Sequence, residues 1–183
     1  MVPALQGHCV ATAAGLEAGP AARQLAATLQ AQHPEAGRAY WALRAWALLV
    51  WQPAYASVLA VELDAGVLPL QGLRWLLAPQ AADVAGFTVP VAAFPAACPH
   101  ERRALAAQQI QLLSASLLSA VQASMPLHPK AARRMLADCV LAALLRAQPL
   151  TRRANDELLS TGADWLEKLG ATGDSGYLAF TAA

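Results

Sequence analysis

The sequence predicts an α+β fold that is predominantly α, with a helical body and a small antiparallel β-sheet in the middle of the chain. First, the composition is 57% hydrophobic and only 14% charged over 183 residues, which is typical of a compact globular protein. Second, proline and glycine divide the alanine- and leucine-rich segments into helix-length blocks. Third, residues 55–91 contain β-branched and aromatic residues between turn residues. The length predicts a single domain, residues 1–183.

The segment at residues 40–53 is expected to contain the central helix, which is predicted from Ala39 to about Val50. It contains three of the five tryptophans, Trp41, Trp46 and Trp51, and Arg44 is its one charged residue. Apolar residues cover every face of this helix, which indicates burial on all sides. We expect Pro53 to end it, because proline disfavours the helical conformation of the preceding residue.

The middle of the chain is predicted to form the sheet. Residues 55–63 have the composition of a strand, and Asp64-Ala65-Gly66 is expected to be a turn. We predict a short second strand at 67–70 and a further strand at 86–91, where Pro90 favours an edge position. Residues 71–77, with Trp75, are predicted to form one or two helical turns before Pro79.

Four more helices are predicted around this sheet. A proline lies in the first turn of three of them, a favoured position. Gly170 is a suitable cap for the last one, and the tail after it is expected to be loop or strand. The predicted helices span residues 20–32, 99–123, 129–146 and 154–169.

Charge and cysteine content exclude several classes of function. The formal net charge of +1 gives no general attraction to nucleic acid. The N-terminal residues have no basic segment followed by an apolar one, so they do not form a secretion signal. The least polar window, 45–61, contains Gln52, Pro53 and Ser57 and is short for a membrane span. The three cysteines are widely spaced, as expected for reduced thiols in a cytoplasmic protein.

Motifs for chemistry are sparse. The sequence has no glycine-rich phosphate loop and no dinucleotide fingerprint. The four histidines are scattered, and Cys98 with His100 is only a pair, so we predict no metal site. Arg44 must reach water, pair with a carboxylate, or point into a ligand pocket. The residues by themselves predict a helical domain of unknown role.

Four segments resemble the siderophore ferric-iron reductases, the FhuF-like family. The first, Tyr40 to Tyr55, resembles the family's central helix and its Trp-Gln-Pro turn. The others are similar in order and spacing, and together they cover most of the chain from about residue 38. They are Gly86-Phe87-Thr88-Val89-Pro90, the helix from His128 to Asp138, and the stretch from Trp165 to Tyr177.

The resemblance implies a cytoplasmic enzyme that releases iron from an imported ferric siderophore by one-electron reduction. It implies a 2Fe-2S cluster near the C-terminus, held by a Cys-Cys pair and a Cys-x-x-Cys. It also implies an electron donor such as a ferredoxin or a flavoprotein, and it allows peripheral contact with the inner membrane.

The sequence departs from the family at these cysteines. Cys9, Cys98 and Cys139 do not match the family's positions, and such clusters normally need four cysteine-type ligands. We therefore expect the chain to stop short of its cluster-binding tail. The alternative is a relative that has no cluster.

The predicted siderophore site is the end of the central helix. Arg44, Trp51, Gln52 and Tyr55 are expected to form its wall, because aromatic walls with a few polar groups suit small-molecule sites. Arg133 and Arg134 are further candidates for holding an anionic iron complex. For the aromatic residues, simple core packing is the competing interpretation. Two other functions remain open: a siderophore-binding module without redox activity, and a helical interaction protein.

Overall fold

The computed structural model describes residues 15–78, 82–89 and 98–173. This part of the chain contains five helices and one β-hairpin, so the predicted fold class is confirmed. In chain order the elements are α1 (Ala18–Gln32), α2 (Arg38–Glu62), β1 (Arg74–Leu77), β2 (Val84–Thr88), α3 (Pro99–Gln122), α4 (Pro129–Thr151) and α5 (Asn155–Lys168).

Helix α2 is 25 residues long and contains Pro53 in its interior. The prediction that Pro53 ends the helix is wrong, and so is the strand predicted at 55–63. Proline lacks an N–H, so the carbonyl of Leu49, four residues earlier, has no helical donor. The indole Nε1 of Trp75 donates to this carbonyl at 2.9 Å. The tertiary structure thus supplies the hydrogen bond that proline removes, and three alanines favour helix over residues 54–60.

The hairpin lies against α2. Strands β1 and β2 are antiparallel, with Trp75 opposite Phe87 and a bulge between Leu76 and Leu77. Leu16 bridges to Trp75 through two backbone hydrogen bonds of 2.9 Å. Gln52 Nε2 donates to the carbonyl of Val84 at 2.8 Å and fixes β2 on α2.

Two further predictions in this region are wrong. Residues 71–77 contain β1 instead of helical turns, because residues 74–77 pair with β2 and Trp75 also pairs with Leu16. Residues 67–70 form no strand. The predicted turn at 64–66 is confirmed, with Asp64 and Gly66 at positive φ. Strand β2 confirms part of the strand predicted at 86–91, of which residues 90 and 91 lie outside the described chain.

Helix α2 is the centre of the helical body. Its first residue, Arg38, bonds the carbonyl of Ser124 beyond the end of α3, whereas its last residue, Glu62, meets Arg103 in the first turns of α3. Helices α2 and α3 are therefore antiparallel. Helix α4 runs parallel to α2, because Cys139 contacts Trp51 and Arg153 contacts Glu62.

The core is one cluster of buried side chains around α2. Its largest fully buried members are Trp46, Trp75 and Trp165. Aromatic side chains bury large apolar areas, so these indoles join α2, the hairpin and α5 into one packed body.

The four helices predicted besides the central one are confirmed, and α4 is longer than predicted. Helix α4 continues past Pro149 to Thr151, and the next residue, Arg152, adopts a left-handed conformation with φ 54°. Proline leaves the carbonyl of Leu145 without its helical donor. Leu145 is exposed, so water can donate a hydrogen bond to this carbonyl. The predicted tail after Gly173, like residues 1–14 with His8 and Cys9, lies outside the described residues.

Helix α3 has a membrane-like composition. Among the described residues, its segment Glu101–Gln122 is long and apolar enough to cross a membrane by length and composition. Core helices of globular proteins pass the same test. Ile110, Leu117 and Val121 of α3 are fully buried in the core cluster, and 33% of the apolar window is buried.

Candidate functional site

Three predicted site residues lie on one face of α2. Trp51 follows Arg44 by seven residues and precedes Tyr55 by four, and both spacings return to the same side of a helix. Arg44 is exposed, and Trp51 and Tyr55 are partly exposed. This face is therefore open to solvent, although the sequence predicted burial on all sides of the helix.

An arginine from α4 completes a cluster on this face. The rings of Trp51 and Tyr55 stack, with their centroids 5.8 Å apart and an interplanar angle of 19°. The guanidinium carbon of Arg146 lies 5.0 Å from the Trp51 centroid and 5.8 Å from the Tyr55 centroid. These distances allow cation–π attraction. We call Trp51, Tyr55 and Arg146 the aromatic–arginine cluster.

Sequence reasoning missed Arg146. Its contact with Trp51 depends on the parallel packing of α2 and α4, which no local pattern reveals. The sequence shows only that Arg146 follows Cys139 by seven residues, so both lie on nearly the same side of α4. The structure adds that this side faces α2, because the Cys139 thiol contacts the Trp51 carbonyl at 3.8 Å.

Gln52 contacts the hairpin through its side chain. Its side-chain amide donates to Val84 of the hairpin, and helical periodicity turns Gln52 about 100° from Trp51. The prediction that these residues surround a helix end is wrong, because α2 continues to Glu62.

Arg133 and Arg134 are exposed residues near the start of α4. They precede Arg146 by at least twelve residues, which corresponds to about 18 Å along the helix. Periodicity also turns them about 120° to 140° from the Cys139 direction, which faces α2. The structure therefore separates both arginines from the aromatic–arginine cluster.

A second polar group, which the sequence did not predict, lies at the C-terminal end of α2. The Glu62 side chain is 1% exposed. Its Oε1 accepts from Arg103 Nε at 3.0 Å and from Trp165 Nε1 at 2.7 Å, and its Oε2 accepts from Arg153. We call Glu62, Arg103, Arg153 and Trp165 the Glu62 hub.

The Glu62 hub continues into α5. Arg103 also pairs with Asp164, which pairs with Lys168, and Arg153 pairs with Glu157 at 3.2 Å. Every cation in this network therefore has a carboxylate partner. The network connects the end of α2 with α3, α5 and the loop between α4 and α5, in which Arg153 lies.

The hub keeps the Glu62 carboxylate ionised. Burial by itself raises the pKa of Glu62, but hydrogen bonds from Arg103, Arg153 and Trp165 outweigh burial and lower the pKa below its usual value. The pKa of Asp164 is also lowered, because Lys168 and Arg103 outweigh its partial burial. A carboxylate with both oxygens bonded and a lowered pKa is unsuited to proton transfer near neutral pH. The Glu62 hub is structural.

The described cysteines do not fit an iron–sulfur cluster. Cys98 is exposed at the N-cap of α3, and Cys139 is buried in α4. Burial raises the pKa of Cys139 to about 12, whereas a cluster ligand must be a thiolate. Within residues 15–78, 82–89 and 98–173, no three His, Cys, Asp or Glu side chains converge at metal-binding distance.

Two cavities lie away from the aromatic–arginine cluster. One of about 430 Å³ lies between the start of α1, the loop before β1 and the middle of α3. The other, of about 470 Å³, lies between α1, the start of α2 and the α3–α4 connection. None of the six predicted site residues lines either of these two cavities.

Comparison with known proteins leaves the chain without an assigned family. No protein-family model matches the sequence, and no solved structure matches it significantly. The resemblance to siderophore reductases therefore stays a prediction that rests on the four sequence segments.

Proposed function

We propose that this chain binds a ferric siderophore at the aromatic–arginine cluster and is the substrate-binding body of a cytoplasmic ferric-siderophore reductase. The observation that supports this is the partly exposed Trp51–Tyr55 stack beneath the Arg146 guanidinium. Arg44 lies on the same side of α2, about two turns away.

The chemistry of the cluster suits such a ligand. A ferric siderophore is a bulky chelate with apolar surface and oxygen ligands that carry negative charge. Stacked rings offer it a flat apolar contact. Arg146 places its guanidinium carbon over both rings, and its N–H groups can donate to anionic oxygens. Both rings are partly exposed, so a bulky chelate can reach them from solvent.

Release of the iron needs one electron from a partner. A ferredoxin or flavoprotein would donate it, Fe³⁺ would become Fe²⁺, and oxygen ligands hold Fe²⁺ less tightly. The described residues supply no redox group, so we assign them binding and orientation alone. The exposed position of the cluster would leave the bound chelate accessible to the donor.

A siderophore-binding module without redox activity is the second candidate. It is favoured by the misfit between the described cysteines and an iron–sulfur cluster. In that case the same surface would hold the chelate and transfer it to another protein.

Calorimetric titration with a ferric trihydroxamate and a ferric tris-catecholate tests the binding proposal. We expect saturable binding of at least one chelate, weakened about tenfold or more by Trp51→Leu or Arg146→Gln, since each removes a main contact. Tyr40→Leu is the matched control, because Tyr40 is 50% exposed on the same side of α2, about three turns from Trp51. Equal loss in Tyr40→Leu, or no binding of either chelate, would contradict the proposal.

A reduction assay separates the two candidates. The protein is mixed with a bound chelate and a reduced ferredoxin or flavoprotein, and a ferrous-specific chelator reports the Fe²⁺ released. A reductase accelerates Fe²⁺ formation above the rate with donor alone, and Trp51→Leu lowers the acceleration. Binding without acceleration supports the binding module.

A further inference from the structure

The cavity of about 470 Å³ has the features of a second binding site. Its lining comes from three parts of the fold: α1, the start of α2 and the connection between α3 and α4. Small-molecule sites commonly have volumes of about 300–1,000 Å³. We call it the Trp41 cavity, after the one aromatic residue in its lining.

The inner wall of the Trp41 cavity is apolar. Trp41 and Met125 are both 8% exposed. Ala26, which is buried, and Ala27, which is exposed at the rim, complete the apolar lining. The Trp41 indole Nε1 donates to the carbonyl of His33 at 3.1 Å, so the orientation of the ring is fixed. Alanines on α1 leave open the space that larger side chains would fill.

The polar part of the lining is positively charged. Arg23 and Arg38 line the cavity together with Gln30 and Ser124, and no acidic residue does. In the part of the chain that the structure describes, neither arginine pairs with a carboxylate. The acidic residue closest to Arg38 in sequence, Glu35, lies near His33 at 3.5 Å instead.

Arg38 is held in position without being neutralised. Its Nη2 donates to the backbone carbonyl of Ser124 at 3.0 Å. A guanidinium carries five N–H donors, so the other donors remain for a ligand. Arg38 is exposed, so its charge is accessible to a ligand. A cation beside an aromatic ring and a thioether favours one ligand class.

We propose that the Trp41 cavity binds a small organic anion that has one carboxylate or sulfonate and a compact apolar body. The anionic group contacts Arg38, with Arg23 adding attraction, and the apolar body packs on Trp41 and Met125. This site is separate from the aromatic–arginine cluster and does not depend on the function proposed for that cluster.

Calorimetric titration of the whole chain with 2-naphthalenesulfonate tests the charge requirement, and 2-naphthalenemethanol serves as the uncharged analogue. We expect the sulfonate to bind about tenfold or more tightly than the alcohol, since a charge-assisted hydrogen bond is among the stronger polar contacts. Arg38→Gln should remove this preference, whereas Arg152→Gln, which changes an exposed arginine after α4, should keep it.

A second pair of variants tests the location. Ala27→Leu places a larger side chain in the wall of the cavity and should abolish sulfonate binding. Ala31→Leu makes the same change one turn later on α1. Ala31 is exposed, as Ala27 is, but it lies outside the lining, so this variant should have no effect. Circular dichroism checks that both variants fold.

Three results would overturn the proposal. They are equal affinity for the sulfonate and the alcohol, unchanged binding in Arg38→Gln, and unchanged binding in a folded Ala27→Leu variant. None of these results bears on chelate binding by Trp51 and Arg146, so the two proposals fail separately.

Discussion

The Glu62 hub and the aromatic–arginine cluster occupy one side of the same helix. Glu62 follows Trp51 by eleven residues and Tyr55 by seven, which are about three and two turns. At the hub, residues from α3, α5 and the end of α4 cover the carboxylate, which is 1% exposed. At the cluster, Arg146 reaches over two rings that remain partly exposed.

This difference in exposure indicates that the Glu62 hub contributes to stability and that the aromatic–arginine cluster is suited to binding. Both oxygens of Glu62 accept hydrogen bonds, and its cations have carboxylate partners, so the hub has little capacity for a ligand. Arg146 forms no ion pair within the described residues and is held only through its ring contacts. Substitutions should therefore reduce stability at the hub and ligand affinity at the cluster.

The largest expected effect is that of Glu62→Ala. Removing one member of a buried ionic network leaves the others without compensation, which commonly lowers the free energy of unfolding by about 3–5 kcal/mol. Urea denaturation followed by circular dichroism measures the change. Asp64→Asn is the matched control: Asp64 pairs with Arg102 at an exposed position, and such pairs contribute at most about 1 kcal/mol. Similar losses in the two variants would mean that the hub is not a special source of stability.

The pH dependence of stability should come largely from the same carboxylates. The pKa values of Glu62 and Asp164 are lowered in the folded state. A lowered pKa contributes stability that is complete above the unfolded value, 4.5 for Glu62, and is lost as the pH falls through the folded value. The free energy of unfolding should therefore decrease as the pH falls below about 4.5.

Denaturation curves across this pH range test the assignment. In Glu62→Gln, which cannot titrate at position 62, the decrease should be shallower than in the wild type. An equally steep decrease in both proteins would assign the acid sensitivity to other carboxylates.

The fold was predictable where a local pattern determines it and unpredictable where a distant residue does. The helix starts at Pro99 and Pro129 follow from proline's preference for the first turn. The continuation of α2 past Pro53 depends on Trp75, which is 22 residues later in the chain. The strand identity of residues 74–77 depends on pairing with Thr88, Phe87 and Gly86, which local composition does not specify.

The two regions can share one side of α2 only if the helix is continuous through Pro53. Trp75→Phe removes the donor to the Leu49 carbonyl and should lower the free energy of unfolding by about 1–3 kcal/mol, the typical loss for a buried acceptor. In a Pro53→Ala background the new backbone N–H can bond this carbonyl, so Trp75→Phe should be less destabilising. A double-mutant cycle measures the coupling, and additive losses would show that Trp75 does not compensate for the proline.

The candidate site was predictable only in part, for a related reason. Trp51 and Tyr55 were found because an aromatic-rich helix is visible in the sequence. Arg146 was missed because its ring contacts form across two helices. Gln52 was predicted to bind the ligand because it is adjacent to Trp51 in sequence. Adjacency does not reveal which side of the helix a residue faces, and the Gln52 amide donates to the carbonyl of Val84.

The smallest expected stability change comes from Arg146→Gln, and the same substitution at Arg103 provides the comparison. Exposed cation–π contacts contribute about 0.5–1 kcal/mol, so Arg146→Gln should change the free energy of unfolding by no more than about 1 kcal/mol. Arg103 bonds both Glu62 and Asp164, so Arg103→Gln leaves two carboxylates undercompensated and should be clearly more destabilising. Urea denaturation of the two variants gives the comparison. If Arg146→Gln is as destabilising as Arg103→Gln, the cluster is part of the structural framework, and Arg146 is not reserved for a ligand.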